Sequence, residues 1–201
     1  MAACGRDSPP GTGGVPKAAG FVRAHGIRSG VSEDQGVIAA IGIGSNLGDR
    51  AGHVGYAVGR LGGLPGTRLV GVGPVIETEA VGRVGVDPGG AYLNSVAVLR
   101  TSVPARALLE MLHQIERERG RVRAGVPSWS ARTLDLDLLV YGDAVIDEPG
   151  LVVPHPRMAE RRFVLEPLAA VSPGLVVPGI GGGRTALELL TALAAKPGVQ
   201  G

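Results

Sequence analysis

A chain of 201 residues, 44% hydrophobic and 19% charged, has the apolar content for one packed domain with a tail. A formal charge of +2 is too small to argue for a nucleic-acid or membrane partner, and no run approaches the ~18 apolar residues of a spanning helix. The single cysteine, Cys4, excludes an intramolecular disulfide and a cysteine-based zinc site; with no apolar leader visible, the cytoplasm is the expected location.

Residues 1–36 are rich in Gly, Pro and Ser and lack periodicity. They read as a flexible extension, which leaves 37–201 as the folded domain. From Val37 the pattern becomes regular. VIAAIGIGSN is a short apolar run ending in Gly-Ser-Asn, a buried strand entering a turn. Val54, Ala57, Val58 and Leu61 recur at helical spacing over 49–62. Residues 68–78 predict a strand, and 91–101 a second one beyond a glycine-rich loop. Pro104 suits a first helical position, and Leu108, Leu109, Leu112 and Ile115 behind it make an amphipathic helix ending near Gly120. Residues 120–133 are polar, Arg-rich and non-periodic, hence a loop, and Leu134 to Tyr141 alternates as a strand. Residues 158–170 predict a helix, 175–177 a short strand and 184–195 a last helix.

The order strand, helix, strand, strand, helix, strand predicts an α+β fold of the split βαβ kind. An antiparallel sheet would be covered by helices, with helical additions at the C-terminal end. The fold alone says nothing about chemistry.

The informative segment runs from Arg132 to Val140, RTLDLDLLV. Strand side chains alternate, so Asp135 and Asp137 share one face while Leu134, Leu136 and Leu138 share the other. The two carboxylates stand about 6–7 Å apart at their Cα atoms and can converge on one cation or a close pair. Hard oxygen donors without neighbouring His or Cys favour Mg²⁺ over zinc. Taken alone, two acids on a strand also describe a solvated face. Like charges so placed repel unless something positive lies between them, and these follow directly on an arginine-rich loop.

That stretch holds Arg117, Arg119, Arg121, Arg123 and Arg132 together with Trp129. Guanidinium forks match phosphate oxygens and stabilise charge on a transferring phosphoryl group. Arg117 and Arg119 fit a helix C-terminus better, where cations complement the dipole. Arg121, Arg123 and Arg132 lie beyond the helix and read as functional. Upstream, Tyr92 and Asn94 fall on one strand face, a stacking plate beside an amide fork. Judged alone, Tyr92 and Phe163 serve equally as core aromatics. His155, between two prolines, either caps a turn or touches phosphate.

The segments GSNLGDR (44–50), AYLNSVAVLRT (91–101), IERERGRVR (115–123), ARTLDLDLLVYG (131–142), VPHPRM (153–158) and ERRFVLEPL (160–168) together resemble the hydroxymethyldihydropterin pyrophosphokinases, over about 37–195. The resemblance implies a ferredoxin-like α+β fold. It also implies transfer of pyrophosphate from ATP to 6-hydroxymethyl-7,8-dihydropterin in folate biosynthesis, with AMP released. Two Mg²⁺ ions would be held by Asp135 and Asp137, and ATP is the co-substrate. Tyr92 and Phe163 would sandwich the pterin, with Asn94, Thr78 and the backbone near Val81 completing its pocket. ATP contacts carry over to His113, Glu116, Arg123, Trp129, Arg132, His155 and Arg161, and the catalytic-loop arginines are Arg121 and Arg132. A monomer without nucleic-acid or membrane partners is the expectation.

The chain departs from the family's usual pattern at residues 76–82, at Ser130 and Ala131, and at Gly150 and Val152. The first two bear on loop stiffness and closure, and the third on nucleotide binding. A binding-only relative of the same fold would have little use for both acids. An RNA-binding domain would want exposed aromatics and more basic charge. The glycines of GIGSNLG are spaced wrongly for a dinucleotide fingerprint.

Overall fold

The computed structural model describes residues 36–80, 89–121 and 130–196. The extension expected over residues 1–36 therefore lies outside them except for Gly36, as do Val81, Arg123 and Trp129. Strand β1 (Val37–Ser45) leads to helix α1 (Arg50–Gly62), whose first turn is capped by Asp49 accepting from the Gly52 N–H at 3.0 Å. Strands β2 (Thr67–Val72), β3 (Ile76–Thr78) and β4 (Tyr92–Thr101) follow, then helix α2 (Ala105–Glu118) and strand β5 (Asp135–Tyr141). A short hairpin, β6 (Ile146–Glu148) with β7 (Leu151–Val153), precedes a 3₁₀ turn at Met158–Glu160 and helices α3 (Arg162–Val171) and α4 (Ala186–Ala194). Among the described residues no helix is long and apolar enough to cross a membrane.

The main sheet is antiparallel in the order β2-β4-β1-β5, with β3 also paired to β4. The expected strand over 68–78 is thus two pieces, both against β4. Gly73 lies at the break because a Cβ there would come within 2.3 Å of the Pro167 carbonyl oxygen on α3. The strand expected at 175–177 is only a single bridge, Val176 to Thr185. The β6–β7 hairpin was not foreseen, and its turn needs Gly150 at φ +75°.

Each sheet face buries a separate core. One holds Ile41, Ile43, Leu99 and Leu136 against Leu61 of α1 and Leu108, Leu112 and Ile115 of α2. Every fully buried leucine of this kind stabilises the fold by roughly 2 kcal/mol. The other packs Ala40, Val96, Val98 and Val140 against Leu165 and Leu168 of α3 and Leu189 and Leu193 of α4. These helices leave part of that face open, toward the Ser45 end of β1.

Candidate active site

The open part is floored by three adjacent strands. In register, Gly44 of β1 lies between Asn94 of β4 and Asp135 of β5, and Gly42 lies between Val96 and Asp137. With no side chain on the central strand, a cavity of about 430 Å³ remains, walled by the start of α3 and by the segment at Arg132. It brings together Thr78, Tyr92, Asn94, Arg132, Asp135, Asp137, Arg161 and Phe163, eight of the residues the sequence singles out.

One flank is aromatic and amide-bearing. The Asn94 amide nitrogen donates to Thr78 Oγ1 at 2.9 Å, which fixes its orientation and turns the Asn94 oxygen toward Gly44. Tyr92 is half-buried on the same face, and burial, more than any neighbouring charge, raises its phenol pKa. Phe163 enters from the first turn of α3, with the Arg161 guanidinium 5.6 Å from its ring centroid.

The other flank is charged. Period-two alternation holds along the start of β5: Leu134, Leu136 and Leu138 sink into the first core, while Asp135 and Asp137 face the cavity. Arg132 Nη1 donates to Asp135 Oδ2 at 2.6 Å, and Arg121 donates to Asp135 Oδ1, to the Leu134 carbonyl at 3.2 Å and to Glu116 Oε1. Burial works to raise the Asp135 pKa, but the two guanidinium groups outweigh it and hold that carboxyl below the usual range. The Asp137 carboxylate accepts no hydrogen bond among the described residues. Burial, and next the charge of Asp135, push it up to about 6. No group of three or more His, Cys, Asp and Glu that could hold a metal occurs among the described residues. A cation held by the two aspartates would therefore take its other ligands from water or phosphate oxygens, as Mg²⁺ commonly does.

Three expected contacts stand outside the cavity wall. Glu116 is fully buried at the end of α2, where Oε1 also accepts from the Leu136 N–H at 2.8 Å, so it grips β5 from beneath. His113 lies on α2 and does not line the cavity. His155 Nδ1 accepts from the Arg157 N–H at 3.2 Å, and its own N–H donates to the Leu139 carbonyl at 2.9 Å, so it caps its turn beside the cavity. Burial and then the charges of Arg161 and Arg157 lower it to about 4. Arg119 behaves as a helix-end residue. Its Nε donates to His53 Nδ1 at 2.8 Å and its guanidinium lies 4.7 Å from the Tyr56 ring centroid.

Sequence reasoning missed Ser45 and Asn46. Ser45 Oγ donates to the Thr133 carbonyl at 2.6 Å, and Asn46 Oδ1 accepts from the Arg132 N–H at 2.7 Å while its nitrogen donates to Gly90 at 3.2 Å. The Gly-Ser-Asn turn is thus the clasp that fixes the Arg132 segment beside β4. Its one signal was a polar pair ending an apolar strand. Arg157 and Glu160, which also line the cavity, fall in segments that carry the resemblance but were given no role of their own.

Residues 40–173 match the family described as 7,8-dihydro-6-hydroxymethylpterin-pyrophosphokinase (HPPK). The chain belongs to that family. Among curated HPPK relatives, the 2-amino-4-hydroxy-6-hydroxymethyldihydropteridine pyrophosphokinase of Pseudomonas aeruginosa is 40% identical over 152 residues, 76% of this chain and 89% of that one. The enzyme of the same name from Bacillus subtilis is 40% identical over 134 residues, 67% of this chain and 77% of that one. Among solved structures, wild-type Plasmodium falciparum HPPK-DHPS superposes with a TM-score of 0.56 at 13% identity, covering 80% of this chain. The chain spans 45% of that longer protein, and the likeness speaks to the fold. It agrees with the mixed architecture of helices on an antiparallel sheet.

Proposed function

We propose that this HPPK transfers pyrophosphate from ATP to 6-hydroxymethyl-7,8-dihydropterin, giving AMP and the pterin diphosphate, a step of folate biosynthesis. The observation that carries the reading is the meeting, in one cavity, of an aromatic and amide flank with a paired-carboxylate and arginine flank. The first suits a flat heterocycle with a lactam-like edge, and the second suits a polyphosphate with its cations.

In this reading Tyr92 and Phe163 stack on the pterin, while Asn94, oriented by Thr78, pairs with its polar edge. As the family resemblance implies, the backbone near Val81 would add a further contact. Asp135 and Asp137 would hold the two expected Mg²⁺ ions, which would neutralise ATP phosphate charge and favour ionisation of the pterin alcohol. Arg121 and Arg132 pair with Asp135 at the edge of that site. With cations bound they would turn to phosphate oxygens together with Arg161 and His155, and, as the family resemblance implies, His113, Glu116, Arg123 and Trp129 would make further contacts to ATP. The pterin hydroxyl oxygen forms a bond to the β-phosphorus as the bond from that phosphorus to the AMP oxygen breaks, and the hydroxyl proton leaves to solvent. The protein contributes alignment and positive charge and needs no covalent intermediate.

With β2 and β3 counted as one broken strand, the order is β-α-β-β-α-β, and with the strand order β2-β4-β1-β5 it supports a ferredoxin-like reading of the fold. Residues 37–201 would form the pyrophosphokinase domain and 1–36 an extension of it, in a monomeric cytoplasmic enzyme. Product analysis tests the activity. Protein, ATP, Mg²⁺ and the pterin should yield pterin-dependent AMP, one pterin diphosphate for each AMP. ADP as the product would mean attack at the wrong phosphorus and would overturn the mechanism.

A further inference from the structure

Gly42 lies inside β1 and Gly44 is its next-to-last residue, positions where glycine lacks packing area and costs backbone entropy. Neither has a positive φ, so the backbone does not require glycine at either place. Steric exclusion does not require it either. A Cβ on Gly44 would stand 3.4 Å from Asn94 Oδ1, 3.7 Å from Tyr92 Cδ1 and 3.8 Å from the Asp135 Cβ, all ordinary van der Waals contacts. Gly73 and Gly89 differ, because a Cβ there would fall 2.3 Å from a backbone oxygen and 2.7 Å from Ala131. Gly44 thus serves neither a turn nor a tight packing contact.

It does occupy the centre of the cavity floor. The atom it lacks would stand among the amide that reads the ligand edge, the ring that stacks and the Cβ that carries the Asp135 carboxyl. We infer that Gly44 is a specificity-determining residue, kept bare so that a flat pterin can bridge Asn94, Tyr92 and Asp135; this rests on the pterin reading above. Adding one carbon raises the floor by about 1.5 Å, the length of a C–C bond. A ring held against Tyr92 and paired with Asn94 must lift by that much or give up one contact. The ATP phosphates approach from the arginine side, and their binding is spared.

The test uses the full chain with Gly44→Ala, and Gly55→Ala on the exposed face of α1, where a Cβ meets open space, as control. Calorimetric titration with 6-hydroxymethyl-7,8-dihydropterin should show Kd raised at least about tenfold in Gly44→Ala and unchanged in the control. Mg-ATP affinity should be unchanged, and Tm should stay at or above the unsubstituted value, since alanine narrows the unfolded ensemble. Unchanged pterin affinity overturns the inference. A fall in Tm does so too, by showing that the fold needs the glycine, and so does an equal loss for Mg-ATP, by showing collapse of the whole site. Failure of the unsubstituted protein to bind pterin at all sinks the pterin reading and takes this inference with it, a result distinct from a silent Gly44→Ala.

Discussion

Arg132 Nη1 donates to Asp135 Oδ2 at 2.6 Å, binding the mouth of the arginine segment to the first residue of β5. The pair keeps both groups charged and aims the guanidinium into the cavity. An ammonium at this place has no fork with which to hold a carboxylate or phosphate in a plane. Arg132→Lys should lower kcat by about 100-fold with the protein still folded. Steady-state kinetics that leave kcat untouched would remove Arg132 from the transition state.

Asp137 is the carboxylate with no hydrogen-bond partner among the described residues, and its neighbour Asp135 is already held by arginines. Asp137→Ala should cut turnover by at least about 100-fold and leave pterin affinity where it was. Rapid-quench turnover and pterin titration on the same variant decide the matter, and equal losses in both count against a cation role.

Glu116 holds Arg121 and the Leu136 N–H from inside the fold. Removing it leaves a guanidinium and a backbone donor buried without that acceptor, so Glu116→Ala should destabilise the protein by about 3–5 kcal/mol. Glu116→Gln keeps an acceptor for Leu136 and should lose less. Urea unfolding of the two variants checks the order, and equal stability would show that Glu116 is not a brace.

Leu136 lies between the two aspartates in sequence and on the opposite face, 1% exposed in the first core. Leu136→Ala should cost about 2–5 kcal/mol, measured as a shift of the urea midpoint, without altering the pterin Kd at temperatures where the variant is folded.

His155 is held neutral near Arg161 and Arg157, with Asp135 opposing them weakly. Its folded pKa, about 4, lies below the 6.5 of an unfolded histidine. Between those values the unfolded chain binds the extra proton, so the contribution to stability is complete above the upper value and falls as pH drops toward the lower one. The stability of the parent protein relative to His155→Asn should therefore shrink from pH 7 to pH 4. A pH-independent difference would mean that His155 titrates normally in the folded protein.

The site was legible wherever it followed period-two alternation. Asp135 and Asp137, and likewise Tyr92 and Asn94, face the cavity as their spacing required. What escaped depended on contacts far along the chain. Nothing local to residues 68–78 reveals that Pro167 presses on Gly73 and splits the strand. Glu116 looks like any polar residue near a helix end until α2 is laid across β5. Ser45 and Asn46 read as a turn because their partners, Thr133 and Arg132, lie nearly ninety residues on. The arginine loop was legible in chemistry, but only Arg121 and Arg132 of its functional candidates fall among the described residues.

The sheet order has a consequence for synthesis. β4 and β5 do not pair with each other and meet only across β1, the first of the described strands to leave the ribosome. Its partners emerge much later, β4 after two further strands and β5 after α2 as well. The aromatic–amide and carboxylate–arginine flanks therefore cannot be joined until translation has passed Tyr141, and a nascent chain halted earlier would have one flank of the cavity without the other.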